Sequence, residues 1–387
     1  MAARRLLSPY RRNLIAVMAT MTGATLSYSF IVPLLSIILE RQGTSHTLIG
    51  LSSASGAAAI FVVAPFAPRL LVRFGPVRVT LLGVAALLAA LLLLPVFPNV
   101  WAWFPVRVLA GCGGGLMWIV GEAWINQTVE EHTRGRILSL YTMIMSFGYA
   151  LGPLVLVVTG SEGWAPFLAG AAIVLAAGAA TLIAAGVAPA LEGAQTARLR
   201  GIFRLAPLAM TSCFVITAAD TLLVSMLPLY GARIGLAHSD ALYLLTMLGI
   251  GGIVLQYPFG WLADHMDRRR LTLIIALLMV AGSLALPWAL PRAPYNLIYA
   301  FVYGGLIGAL YTMGNVLMGE RFRGADLAAA STVFAVMGSV GGLAGPPAGG
   351  LGMDLWPGWG LPLALTALVA TVLPFAIAAT VRRRSMA

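Results

Sequence analysis

Long apolar runs, each closed by a short cluster of polar or charged residues, recur from one end of this chain to the other. An apolar run of 18 or more residues is long enough to cross a hydrocarbon core of about 30 Å as a helix. Twelve such runs are read at 13–39, 47–68, 79–97, 101–127, 137–159, 165–187, 206–231, 240–262, 271–290, 295–318, 327–350 and 360–381. The regular polar/apolar alternation of a membrane barrel is missing, so helices are the spanning element left. The fold class predicted is all-α integral membrane, with 12 transmembrane helices. The first run is longer than a signal-peptide core and no small-residue cleavage site follows it, so it is expected to be retained.

Composition supports this reading. Hydrophobic residues make up 60% of the chain and charged residues 10%, and the mean hydropathy is +0.93, well above what a soluble core can hide. All 24 basic residues are arginine. With both termini in the cytoplasm, nearly all of them fall in cytoplasmic segments, and the opposite side keeps Arg41, Arg233 and Arg292. That asymmetry predicts an N-in/C-in topology. The pI of about 10.3 then reflects orientation and contact with anionic lipid, not nucleic acid. Cys112 and Cys213 lie in apolar runs with no disulfide or metal spacing, and the four histidines form no paired motif. No cofactor, no metal and no enzyme activity are expected. No Walker-type sequence appears, so an ion gradient or the substrate's own gradient must supply energy.

The chain repeats itself. "NQTVEEHTRGR" (Asn126–Arg136) matches "NVLMGERFRGA" (Asn315–Ala325) at a constant shift, placing Asn126 on Asn315, Arg134 on Arg323 and Gly135 on Gly324. "APFAPRLLVRFGPVRV" (Ala64–Val79) parallels "YPFGWLADHMDRRRL" (Tyr257–Leu271) with one residue inserted. A six-span unit is therefore used twice in one orientation, an arrangement of secondary transporters. The domains predicted are an N-terminal bundle over 1–187, a cytoplasmic connection over 188–205 and a C-terminal bundle over 206–387.

Three motifs carry a resemblance to the major facilitator superfamily over nearly the whole chain. "GWLADHMDRR" (Gly260–Arg269) resembles the loop motif G-x-L-x-D-R-x-G-R-R, with His265 and Asp267 replacing a basic residue and a glycine. "RVLAGCG" (Arg107–Gly113) resembles the span-4 motif R-x-x-x-G-x-G. "GGLAGPPAGG" (Gly341–Gly350) resembles the Gly/Pro pattern that drug/proton antiporters of the superfamily carry in span 5; here it lies in span 11, and span 5 keeps Gly148, Gly152 and Pro153. The resemblance implies two pseudo-symmetric six-helix bundles with spans 1, 4, 7 and 10 around a central cavity. It also implies a charged cytoplasmic gate, here Gly260, Asp264, Asp267, Arg268 and Arg269 with Arg73, Arg78, Arg134 and Arg323 on neighbouring turns. Asp264 is expected to meet a helix N-terminus, whose dipole favours an anion, and Asp267 an adjacent basic residue. In the first copy Val72 replaces the gate aspartate, which argues against two symmetric latches.

Charges inside spans cost a few kcal/mol and usually face a bundle interior or a wet cavity. Asp220 sits near the middle of span 7, Glu122 nearer the cytoplasmic end of span 4, and Arg107 nearer its other end. At 1.5 Å per residue Glu122 and Arg107 lie about 22 Å apart, too far to pair. A carboxylic acid taken out of water holds its proton to higher pH, so Asp220 and Glu122 are candidate proton-coupling groups. Arg107 is a third, because the resemblance links the span-4 arginine to proton coupling. The two acids have a structural alternative as satisfied bonds between helices, and Arg107 has one as a bond to helix-end carbonyls near the outer face. Substrate-cavity residues expected from the fold are Tyr28, Trp118, Ser225, Tyr303, Tyr311 and Asn315, an aromatic lining suited to an amphipathic organic molecule. Trp101, Trp103 and Trp164 read instead as an interfacial belt. Gly148, Gly152, Pro153, Gly341, Gly345 and Pro346 are expected at helix packing and bending points.

The function expected is proton-coupled export of a small molecule across the bacterial inner membrane, with the substrate, protons and lipids as partners of a monomer. Metabolite uptake by symport or uniport remains open, as does a receptor or lipid scramblase on the same scaffold.

Overall fold

The computed structural model describes residues 8–97, 99–189 and 201–384. Arg4, Arg5, Arg198 and Arg200, four of the arginines expected in cytoplasmic segments, fall outside these residues, as does most of the connection over 188–205. The side chains of Arg382, Arg383 and Arg384 are also outside them. Among the described residues no strand forms, and twelve helices are long and apolar enough to cross a membrane. They are Pro9–Arg41, His46–Val63, Ala67–Leu93, Val100–Thr128, Arg134–Thr159, Ala165–Ala184, Pro207–Arg233, His238–His265, Arg268–Ala289, Tyr295–Arg321, Ala329–Leu355 and Gly360–Val381, here spans 1 to 12. Helical geometry satisfies the backbone within each segment, as hydrocarbon requires.

Interruptions follow proline and glycine. Proline lacks the N–H that would reach the carbonyl four residues back, and helix breaks precede or surround Pro65 (between spans 2 and 3) and Pro258 (at Leu255 in span 8). The two prolines occupy matching places in the repeat. Gly75 has φ +74°, a left-handed conformation that glycine adopts without penalty, and it breaks the helix Ala67–Leu93 where the turn between Arg73 and Arg78 was expected.

The described chain forms two compact units. One holds the chain up to Ile38 and spans 2 to 6 from Ser55 onward; the other holds Leu39–Ala54 and spans 7 to 12. Each is packed through small residues, because lipid-soluble helices gain little from hiding apolar surface from one another. In the first unit, span 5 meets span 1 where Gly148 and Gly152 face Thr22, Thr25 and Ser29. Span 4 meets span 2 at Gly111 and Gly56, and span 3 at Gly113 and Gly83. In the second unit, span 11 meets span 7 where Gly341, Gly345 and Gly349 face Phe214, Ala218 and Leu222. Span 8 meets span 10 at Gly252 and Gly308. Spans 3 and 6 pack together in one unit, and spans 9 and 12 in the other. Each unit thus pairs its first helix with its fifth, its second with its fourth and its third with its sixth.

Trp103 departs from the belt expected of it. It is fully buried, and its indole N–H donates to the Phe97 carbonyl at 2.8 Å, tying span 4 to the end of span 3. Trp101 and Trp164 are exposed.

Candidate functional sites

Span 4 carries the first unit's polar face. Asn99 caps it, its side chain accepting from the Trp101 N–H at 2.9 Å. Arg107, Trp118 and Glu122 are eleven and four residues apart, which at 100° per residue keeps them within about 60° on the helix. Arg107 is 5% exposed and lies within electrostatic reach of Tyr28. Tyr28 is exposed in its unit and stacks on Tyr149 with ring centroids 6.3 Å apart. Trp118 is exposed as well. Glu122 is half-buried, and its Oε1 accepts from the Tyr141 hydroxyl of span 5 at 3.0 Å. One turn on, the Asn126 amide donates to the Glu122 carbonyl at 2.8 Å, and its Oδ1 accepts from Arg134 at 3.0 Å.

Span 7 carries the second unit's acid. Asp220 is the fourteenth residue of a 27-residue helix and is half-buried. Thr217 and Thr221 flank it and return their hydroxyls to the carbonyls of Cys213 and Thr217 at 2.9 and 2.7 Å. They are thus satisfied within their own helix. The glycines of span 11 lie directly against this stretch.

Two residues expected in a substrate cavity are closed off. Tyr303 is 2% exposed; its hydroxyl bonds Ser283 at 2.8 Å and its ring stacks on Tyr299. It packs span 10 against span 9. Ser225 is fully buried and shares a 2.9 Å hydrogen bond with Ser53 of the segment Leu39–Ala54. Tyr311 is exposed, edge-on to Phe334, and Asn315 donates to the Tyr311 carbonyl at 3.0 Å. Asn315 therefore repeats the bond that Asn126 makes in the first unit.

The turn between spans 8 and 9 forms an open cavity of about 530 Å³ lined by residues 263–269 and Glu320. Asp264 does not take the role expected of it. Asp267, not Asp264, caps a helix: its Oδ1 accepts from the N–H groups of Arg269 and Arg270 at 3.1 and 2.9 Å, starting span 9. Asp264 is 72% exposed and stands 4.0 Å from Arg268. Arg268 reaches Glu320 at the end of span 10, 2.6 Å away. Arg73, Arg78 and Arg323 are exposed at their own turns, Arg73 lying 5.3 Å over the neighbouring Phe74 ring. Gly260 has no atom within 4 Å of where a Cβ would stand. Pro153 is buried within span 5, and the Pro346 carbonyl lies against Gly50.

Two groups escape sequence reasoning. Tyr141 sits in an apolar run, and nothing local marks it as the partner of an acid nineteen residues earlier. At the far end of the second unit, Asp354 receives His46 and Thr47, and His46 also faces Glu40 at 3.4 Å. Asp354 is an acid at the end of an apolar span, which is the signal that could have found it.

Comparison with known proteins bears on this geometry. The sequence profile of the Major Facilitator Superfamily matches residues 17–304 and 210–386. The chain is 24% identical over 357 residues to YfkF of Bacillus subtilis (strain 168), an uncharacterized MFS-type transporter, covering 89% of this chain and 90% of that one. It is 24% identical over 344 residues to the uncharacterized MFS-type transporter YcaD of Salmonella typhimurium, covering 88% of each. In fold it resembles a bacterial homolog of the human lysosomal transporter Spinster, with a TM-score of 0.78, 16% identity and 96% of both chains covered. It also resembles a D-xylose–proton symporter, with a TM-score of 0.72, 16% identity, and 94% of this chain and 96% of that one covered.

Proposed function

The chain belongs to the major facilitator superfamily and is a multi-pass membrane transporter of that type, and from this premise we propose that it exports a small amphipathic organic molecule in exchange for protons. The bacterial relatives support the inner membrane as its location, and the arginine distribution supports both termini in the cytoplasm. The observation that carries the coupling reading is Asp220, a half-buried carboxyl at the centre of a 27-residue apolar helix. A charge held there is costly. A carboxyl that is protonated while facing one side and ionised while facing the other turns that cost into coupling. The ionised form binds a polar or cationic substrate group, the neutral form releases it, and the proton moves the opposite way.

Differential binding to two states is what makes such a cycle directional, since a ligand shifts a conformational equilibrium only by its difference in affinity for the two forms. Tyr28, Trp118 and Tyr311 are exposed aromatic side chains on spans 1, 4 and 10, and they support an amphipathic cargo because a ring offers apolar area with a polarisable face. Arg107, buried on the same face of span 4 as Trp118, is the fixed positive charge of the first unit's polar face.

The test uses the full-length protein in liposomes with ethidium as probe. Export predicts that an imposed pH gradient drives ethidium against its own gradient, with protons flowing the other way. Asp220→Asn should abolish the pH-driven movement while leaving downhill exchange. PH-driven movement that survives Asp220→Asn removes the coupling assignment. Protons and probe moving together support uptake instead, and lipid flux without probe flux supports a scramblase.

A further inference from the structure

We propose that Glu122 and Tyr141 form a proton-binding pair in the first unit, in which Tyr141 is a positioning residue that holds the ionised carboxylate in place. The proposal deepens the reading above and rests on it for its meaning in transport, but the site is argued from its own geometry.

The Tyr141 hydroxyl donates to Glu122 Oε1 across 3.0 Å, from span 5 to span 4. Tyr141 is 4% exposed and belongs to a core that includes Met21, Val120, Trp124 and Ile125. Buried in this way, the phenol presents its hydroxyl to the Glu122 carboxylate. Ionised carboxylates take such bonds more strongly than neutral acids do.

The carboxyl is not fully enclosed, since Glu122 is half-buried. Asn126, one turn or about 5.4 Å further along the helix, is exposed and receives Arg134 at 3.0 Å. The group that meets the carboxyl is Tyr141, while the Asn126 amide, held by Arg134, bonds the Glu122 backbone carbonyl. On protonation the carboxyl gains one proton from water and Tyr141 keeps its own.

The internal repeat separates this pair from scaffold. Asn126 and Asn315 coincide under the repeat and make the same backbone bond, to the carbonyls of Glu122 and Tyr311. The second copy thus has an aromatic ring where the first has the acid. The same shift places Ala330 at the position of Tyr141. The six-helix fold forms in the second unit with neither partner, so helix packing does not require an acid and a phenol here.

Infrared difference spectroscopy of the full-length protein, titrated from alkaline to acidic buffer with no substrate present, reads the proton directly. The carbonyl stretch of protonated carboxylic acids should appear on titration, and the difference from Glu122→Gln should isolate a component that belongs to Glu122. Tyr141→Phe should keep the band but move its midpoint to higher pH by about one unit, a tenfold rise in proton affinity, because the bond to the ionised form is gone. Glu122→Asp, which keeps a carboxyl on a shorter arm, should retain a titrating band and guards against loss of folding. A band unchanged in Glu122→Gln, or a midpoint unmoved in folded Tyr141→Phe, overturns the proposal. A titrating Glu122 in a protein that shows no pH-driven transport would leave the pair intact and remove the exporter reading instead.

Discussion

His46 and Asp354 are 308 residues apart in the chain and 2.8 Å apart in space, Nδ1 to Oδ1. The same carboxylate accepts from the backbone N–H groups of His46 and Thr47 at 3.1 and 2.8 Å and from the Thr47 hydroxyl at 2.7 Å. One side chain at the end of span 11 therefore caps the start of span 2. A helix start has N–H groups with no partner of their own and a dipole that favours an anion. Asp354→Ala leaves both N–H groups without their acceptor and is expected to cost about 1–2 kcal/mol, the range for a lost cap. Asp354→Asn, which keeps one oxygen, should cost less. The thermal midpoint of purified protein in detergent ranks the three; equal midpoints would mean that water replaces the carboxylate without loss.

Gly345 and Gly260 predict opposite outcomes for the same change. A Cβ on Gly345 would stand 2.7 Å from the Thr221 hydroxyl and 3.0 Å from the Ala218 carbonyl carbon. Gly345→Ala must push span 11 off span 7 and is expected to destabilise by about 1–3 kcal/mol, as overpacked cores do. Gly260 lies inside the helix Gln256–His265 with open space around it. Alanine there should stabilise by up to about 1 kcal/mol, the helix-propensity difference. Thermal midpoints falling for the first and holding or rising for the second are the expected result.

The twelve spans were legible because twenty apolar residues in a row are a long, redundant signal. The break at Leu255 inside span 8 was not, since one proline acts through a single missing bond. Orientation about the helix axis was harder still. Each residue turns a helix by 100°, so knowing that Tyr303 and Ser225 lie in spans 10 and 7 does not say which way they face. Packing against Ser283 and Ser53 decides that, and neither contact has a sequence signature. The repeat did locate Asn126 and Asn315 as equivalents, and they make equivalent bonds. Contacts such as His46 with Asp354 have no local trace at all.

Asn13 gives a third prediction. It is buried at the start of span 1, accepting from the Trp124 indole at 3.0 Å and donating to the carbonyls of Val187 and Pro9 at 2.8 and 3.0 Å. Asn13→Leu strips these bonds and leaves an indole N–H buried without an acceptor, at a cost of about 1–3 kcal/mol. Trp124→Phe removes that donor. The double variant should then lose less than the sum of the two singles, because the orphaned group is gone. A thermal double-mutant cycle measures the difference; strict additivity would show that the two side chains do not depend on each other.

The turn between spans 8 and 9 separates a cap from an ion pair. Arg268 and Glu320 are each more than a third exposed, so water screens them and their coupling should be no more than about 1 kcal/mol. Asp267 satisfies two helix N–H groups, and Asp267→Ala should cost about 1 kcal/mol by itself. Both contacts lie within the second unit, joining elements that pack together there, so neither has to break for that unit to move as a body. Arg268→Glu places three acidic side chains at one turn with Asp264 and Glu320, and repulsion should lower the thermal midpoint further than Arg268→Gln does. Adding Glu320→Arg restores the pair with its polarity reversed and should recover most of the loss. Recovery of stability together with transport rate would identify the pair as support for the turn. Recovery of stability alone would mean that the sign of the charge at position 268 matters to the cycle, as a gate contacting a further group requires.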